Sequence, residues 1–251
     1  MEITIEQHQL VANFFSLTIA AMGAATAFLW ISRSQVADQY KTAVTVSGLV
    51  TFIALYHYWR ISGSWDSSYE IVDGVLVASG EAFNDAYRYV DWLLTVPLLL
   101  IELILVMGLS SSETFKKSLR LGGLAALMIL LGYPGEISDV PGTRWLWWSL
   151  SMIPFLWIVY ELFIGLREAQ DAQPAAAQKL VGYARYLVVV SWAFYPIVFL
   201  FPMLGIEGST AETYVQIGYS IADIVAKAVF GILIFAIALK KTNSARGTAA
   251  A

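Results

Sequence analysis

The chain has 251 residues, 58% of them hydrophobic and 14% charged, with nine tryptophans, which is the balance of a membrane protein and not of a soluble domain. It has no cysteine, which excludes disulfides, thiolate metal sites and cysteine nucleophiles, and its two histidines, His8 and His57, are too few for a histidine-built metal centre. The formal net charge of −4 says little as a total, so the positions of the charges carry the reading.

The opening stretch MEITIEQHQL has two glutamates and no basic residue before the first apolar run. It lacks the positive n-region of a cleavable signal peptide and reads as mature sequence. Segments long and apolar enough for a bilayer crossing of roughly 20 residues then follow at about 8–32, 40–63, 83–107, 117–134, 143–166, 179–203 and 211–239. The expected fold class is an all-α membrane protein, a seven-transmembrane-helix bundle forming a single domain over residues 1–251. Between the second and third spans, YEIVDGVLVAS sets Asp73-Gly74 among alternating apolar residues, which predicts a short β-hairpin. QDAQPAAAQ predicts a surface loop, and NSARGTAAA a disordered tail over about 242–251.

Lys and Arg in short loops stay on the cytoplasmic side of a membrane. Eleven of the fifteen basic residues fall on one side: Arg33, Lys41, Lys116, Lys117, Arg120, Arg167, Lys179, Arg185, Lys240, Lys241 and Arg246. The other side has Arg60 and Arg144 among many acids, including Glu2, Glu6, Asp66, Glu136, Glu207 and Glu212. The predicted orientation has the N-terminus outside and the C-terminus inside. The two remaining basic residues, Arg88 and Lys227, lie within spans.

Ionisable groups inside a spanning helix are costly, so each is a candidate for function. The third span carries Arg88, Asp91 and Glu102, and the seventh carries Asp223 and Lys227. Eleven residues separate Asp91 from Glu102, close to three helical turns, so both share one face about 16 Å apart. Asp223 and Lys227, four apart, also share a face. If the two helices pack together, a mid-membrane amine has two carboxylates on its outer side and one on its inner side, an ordered series for proton exchange. A buried salt bridge would explain an Asp/Lys pair as well. A lysine in a dry pocket, however, favours the neutral amine that attacks an aldehyde, and Asp91 and Asp223 would then supply counter-charge. Trp92, Trp148, Trp192 and Tyr195, with Pro97 and Pro196 as kinks, suggest a slot for a flat conjugated chain.

RYVDWLLTVPLLLIE with YSIADIVAK resembles the microbial rhodopsins. SWAFYPIVF, GYPGEIS and FNDAYRYVDW make the similarity nearest to the proteorhodopsin and xanthorhodopsin branch of light-driven proton pumps. The resemblance implies that Lys227 binds all-trans retinal as a protonated Schiff base, in a pocket that includes Trp92, Leu99, Trp148, Trp192, Tyr195 and Pro196. It implies Asp91 as primary counterion and proton acceptor, Asp223 as second counterion, and Arg88 as the guanidinium that moves with the proton toward the exit. Thr95 would hydrogen-bond Asp91, and Glu102 would return a proton from the cytoplasm. His57, in ALYHYWR, matches the histidine that pairs with the acceptor aspartate. Leucine at position 99 goes with green absorption. Pumps that use a carotenoid antenna have glycine where this chain has Trp148, which implies no antenna. The remaining expectations are location in the cell inner (plasma) membrane, a homo-oligomer, protons and the lipid bilayer as partners, and neither enzymatic activity nor nucleic-acid binding. Glu136, Glu207 and Glu212 are candidates for proton release. A sensory photoreceptor of the same fold and a non-photic transporter are the alternative functions.

Overall fold

A computed structural model describes residues 3–249. Glu2, counted above among the outer acids, and the last two alanines of the expected tail lie outside the described residues. Helix α1 (Ile5–Ser32) starts at a capping box: Gln7 N donates to Thr4 Oγ1 at 3.1 Å, and Thr4 N donates to Gln7 Oε1 at 3.0 Å. Helix α2 (Asp38–Ser67) is followed by strands β1 (Tyr69–Val72) and β2 (Val75–Ala78), which pair antiparallel. The turn is the one that the Asp73-Gly74 signal predicts: φ is 52° at Asp73 and 80° at Gly74, so both central residues are left-handed.

Helix α3 (Ala86–Met107) stops at Gly108, whose φ of 68° ends the helix without a Cβ penalty. Helix α4 (Ser111–Glu136) begins at Ser110, whose hydroxyl accepts from Glu113 N at 3.3 Å. Helix α5 (Pro141–Tyr160) begins at a proline and runs on through a π-helical turn, Glu161–Gly165. A short α6 (Arg167–Asp171) leads to α7 (Ala175–Phe199). The seventh span is α8 (Ser209–Asp223), a π-helical turn (Ile224–Val229) and α9 (Phe230–Ala249).

The molecule is a seven-helix bundle. Successive helices from α1 to α5 pack side by side, and α8 returns against α1 to close the ring. Among the described residues, six of the spans are apolar enough to cross a membrane by length and hydropathy. The remaining long helix, α2, is more polar because Ser47, Thr51 and His57 point into the bundle. Large apolar residues such as Ile31, Trp59, Leu119 and Val190 lie on the outside, where lipid replaces water.

Two expectations change. QDAQPAAAQ is largely helical, leaving only 172–174 between α6 and α7, because its alanines favour helix once Pro174 has started the next one. Residues 242–249 continue α9 instead of forming a disordered tail. The helix is held where it leaves the bundle: Lys241 Nζ donates to the carbonyls of Val106 at 2.9 Å and Met107 at 2.7 Å, capping α3. Thr242 Oγ1 accepts from Ala37 N at 2.9 Å.

Candidate functional site

The inward face of α3 presents Arg88, Asp91, Thr95, Leu99 and Glu102, all buried. The seventh span meets it with Asp223, the last residue of α8, and with Lys227 inside the π-helical turn. Single π turns interrupt the regular backbone ladder and are frequent at functional sites. Here the interruption falls at the lysine, flanked by buried Ala226 and Ala228.

Lys227 Nζ donates to Asp91 Oδ2 and lies 3.1 Å from Asp223 Oδ1, with all three side chains 1% exposed. The sequence reading of one amine facing two carboxylates therefore matches the geometry. The two acids have different surroundings. Asp223 also accepts from Tyr195 OH at 2.6 Å and from Tyr58 OH at 2.8 Å, so both of its oxygens are engaged. Asp91 Oδ1 has no hydrogen-bond partner.

A cavity runs away from Lys227, walled by Trp92, Trp148, Trp192 and Tyr195 with Leu99, Met128, Met152 and Phe155. Trp92 meets Tyr195 edge-on with centroids 5.0 Å apart, and Tyr195 stacks on Tyr219 at 5.7 Å. Pro196 also lines it, and Trp148 Nε1 donates to the Pro196 carbonyl at 3.0 Å, one of the α7 C-terminal carbonyls that no further helical turn satisfies. A flat apolar slot that ends at a primary amine fits a conjugated aldehyde.

Two sequence expectations, those for Thr95 and His57, differ in detail. Thr95 Oγ1 donates to the Asp91 main-chain carbonyl at 2.8 Å and not to its carboxylate, because a threonine within a helix finds the carbonyl four residues back. His57 is buried near the site but makes no hydrogen bond to Asp91; its Nδ1 is unpartnered, as is Asp91 Oδ1. Arg88 turns outward: Nε lies 3.3 Å from Asp85 Oδ1, Nη2 donates to Gln216 Oε1, and the guanidinium sits 4.8 Å from the Tyr219 ring centre. Glu102 stands apart, fully buried, with neither oxygen hydrogen-bonded.

Sequence reasoning missed Tyr58, Tyr219 and Gln216. Tyr219 and Gln216 precede Asp223 by four and seven residues, the helical spacing that puts them on its face, and Tyr58 adjoins His57; that periodicity was the available signal.

A buried lysine between two carboxylates, at the end of an aromatic slot in a seven-helix membrane bundle, has the form of a chromophore-binding membrane protein. Residues 9–241 match the family model described as bacteriorhodopsin-like protein, and the chain belongs to that family, the microbial rhodopsins, whose chromophore is retinal. It is 32% identical over 235 residues to the green-light absorbing proteorhodopsin of Gamma-proteobacterium EBAC31A08, covering 92% of this chain and 87% of that one. It is 34% identical over 237 residues to the blue-light absorbing proteorhodopsin of Gamma-proteobacterium Hot 75m4, with the same coverage of both chains. Among solved structures, xanthorhodopsin, described as a light-driven ion pump with dual chromophore, superposes with a TM-score of 0.94 at 47% identity, covering 98% of each chain. Family and fold together make this a retinal protein of the proteorhodopsin and xanthorhodopsin branch, a pump or sensor and not an enzyme.

Proposed function

We propose that the protein is a light-driven outward proton pump of the inner (plasma) membrane. The observation that carries this is the order of groups along the bundle: Arg88 and the outer acids, then Asp91 and Asp223 on Lys227 Nζ, then Glu102 deeper along α3. Retinal, when held through Lys227 Nζ, supplies the light-driven isomerisation that redirects the proton on that nitrogen. Asp91 takes this proton, because its Oδ1 is uncommitted while it already touches the donor nitrogen. Asp223, solvated by two phenols, stays as fixed counter-charge. Glu102, fully buried with the Ser47 side chain as a polar neighbour, lies on the cytoplasmic side and returns a proton to Nζ. The distribution of basic residues orients the N-terminus outside, so the exported proton moves against a potential worth about 2.3 kcal/mol per charge per 100 mV.

The retention of Glu102 favours a pump over a sensory photoreceptor, which does not need an internal proton donor. Illuminating cells that express the retinal-loaded protein is expected to acidify the medium, and a protonophore is expected to abolish the signal. No pH change in the light rejects the pump.

Three finer readings extend the proposal. Leu99 lines the slot and supports green absorption, whereas the similar identities to a green and a blue proteorhodopsin do not choose between colours. The absorption maximum of the purified pigment decides it. Trp148, whose indole is pinned to the α7 carbonyl, supports the absence of a carotenoid antenna. Adding a hydroxylated carotenoid is expected to give no energy transfer to retinal, and an antenna band in the excitation spectrum overturns that. His57 is the third. Nδ1 of His57 and Oδ1 of Asp91 are both buried and unpartnered, which leaves each free to serve the other, and a joined pair would titrate as a unit. His57→Gln is expected to move the pH at which the pigment changes colour; an unchanged colour titration removes His57 from the acceptor site.

A further inference from the structure

Outside the retinal slot, a second cavity of about 580 Å³ opens at the outer end of α8. Four carboxylates line it, Asp85, Glu136, Glu207 and Glu212, together with Arg144 and Gln216. Gln216 is 1% exposed and forms its inner wall. Behind it lies Arg88, also buried, with Nη1 unpartnered.

Gln216 joins the two regions. A guanidinium has only donors, so the amide must turn its carbonyl toward Arg88. Its NH2 group must then face an acceptor, and Nε2 donates to Glu212 Oε1 at 2.7 Å. The charge of Arg88 therefore sets the direction of the whole line Arg88, Gln216, Glu212. Glu212 also sits in the first turn of α8, where the helix N-terminus favours a carboxylate.

The other three acids are held differently. Glu136 is tied to Arg144, whose Nη2 lies 3.7 Å away, and Tyr89 OH approaches it at 3.5 Å. Glu207 is exposed at the rim. Asp85 pairs directly with Arg88, so a proton placed on it would break that ion pair. Glu212 reaches Arg88 through a neutral amide and can take up and lose a proton with no ion pair broken.

We propose that Glu212 is the carboxylate through which the exported proton leaves, and that Gln216 is the positioning residue that keeps it in register with Arg88. The proton that Asp91 gives up binds a Glu212 carboxylate oxygen and passes from there to water in the outer cavity, so Glu212 begins and ends the cycle as an anion. This rests on the pump reading above.

The test uses the full-length, retinal-loaded protein in lipid nanodiscs, with the visible band timing proton loss at Lys227 after a flash and a pH dye in the medium timing release. In E212Q and in Q216L the dye signal is expected to lag by roughly tenfold or more, the range over which a positioned acid–base group acts. The double variant is expected to lag no more than either single one, because both interrupt one relay. A wild-type visible band shows that each variant is folded, and E212Q, at the half-buried rim, tests the route should Q216L fail to bind retinal. Wild type without a light-driven pH change rejects the pump and the exit route together. A pumping wild type with E212Q releasing on the wild-type schedule, or with D85N alone causing the lag, overturns the exit route only.

Discussion

Lys227→Ala is expected to give a chain that stays colourless with added retinal and moves no protons in the light. The only primary amine at the end of the slot is gone, and no other group there can form the linkage. The variant should also be less stable, by about 3–5 kcal/mol, because Asp91 and Asp223 remain buried without their cation. Lys227→Arg separates the two effects. It keeps the positive charge between the carboxylates and so retains much of the stability, yet a guanidinium cannot supply the attacking amine and no pigment forms. Visible absorption after retinal addition, read beside a thermal melt, checks both variants. A coloured Lys227→Ala protein would remove Lys227 from the chromophore site.

Asp91→Asn should leave a coloured protein that does not pump. The amide preserves size and can still accept from Nζ, while Asp223, 3.1 Å from Nζ and supported by Tyr58 and Tyr195, keeps the cation paired. The substituted amide cannot take up the proton, so light-driven export should fall at least about 100-fold, the lower end of what a positioned base contributes. The measurement is the initial rate of light-induced acidification at equal pigment concentration. Export at the wild-type rate would transfer the acceptor role to Asp223. The asymmetry between two acids on one lysine decides this prediction: one has both oxygens occupied and the other has one open.

Much of the fold was legible because lipid imposes simple rules. A crossing helix must be long and apolar, and a charge within it must have a partner, so the spans and the trio Asp91, Asp223 and Lys227 stood out against their surroundings. The hairpin was legible because Asp73-Gly74 is a local signal for two left-handed residues. The ends of helices were less so. Residues 242–249 read as a small polar tail, and their helix depends on Lys241 reaching across to the last carbonyls of α3, a contact between positions about 135 residues apart.

The site divides the same way. Tyr58 and Gln216 are ordinary residues in sequence, and what they do depends on which oxygen or guanidinium lies opposite. The sequence by itself determined that this is a seven-span membrane protein with an amine and carboxylates inside its third and seventh spans, since composition, periodicity and the cost of buried charge act along the chain. Only the tertiary structure decided which carboxylate oxygen stays open, that Thr95 serves the backbone, that Arg88 points outward and that Gln216 links it to Glu212. Hydrogen bonding saturates within about 3 Å, and that distance is set by how α2, α3, α7 and α8 pack around the lysine.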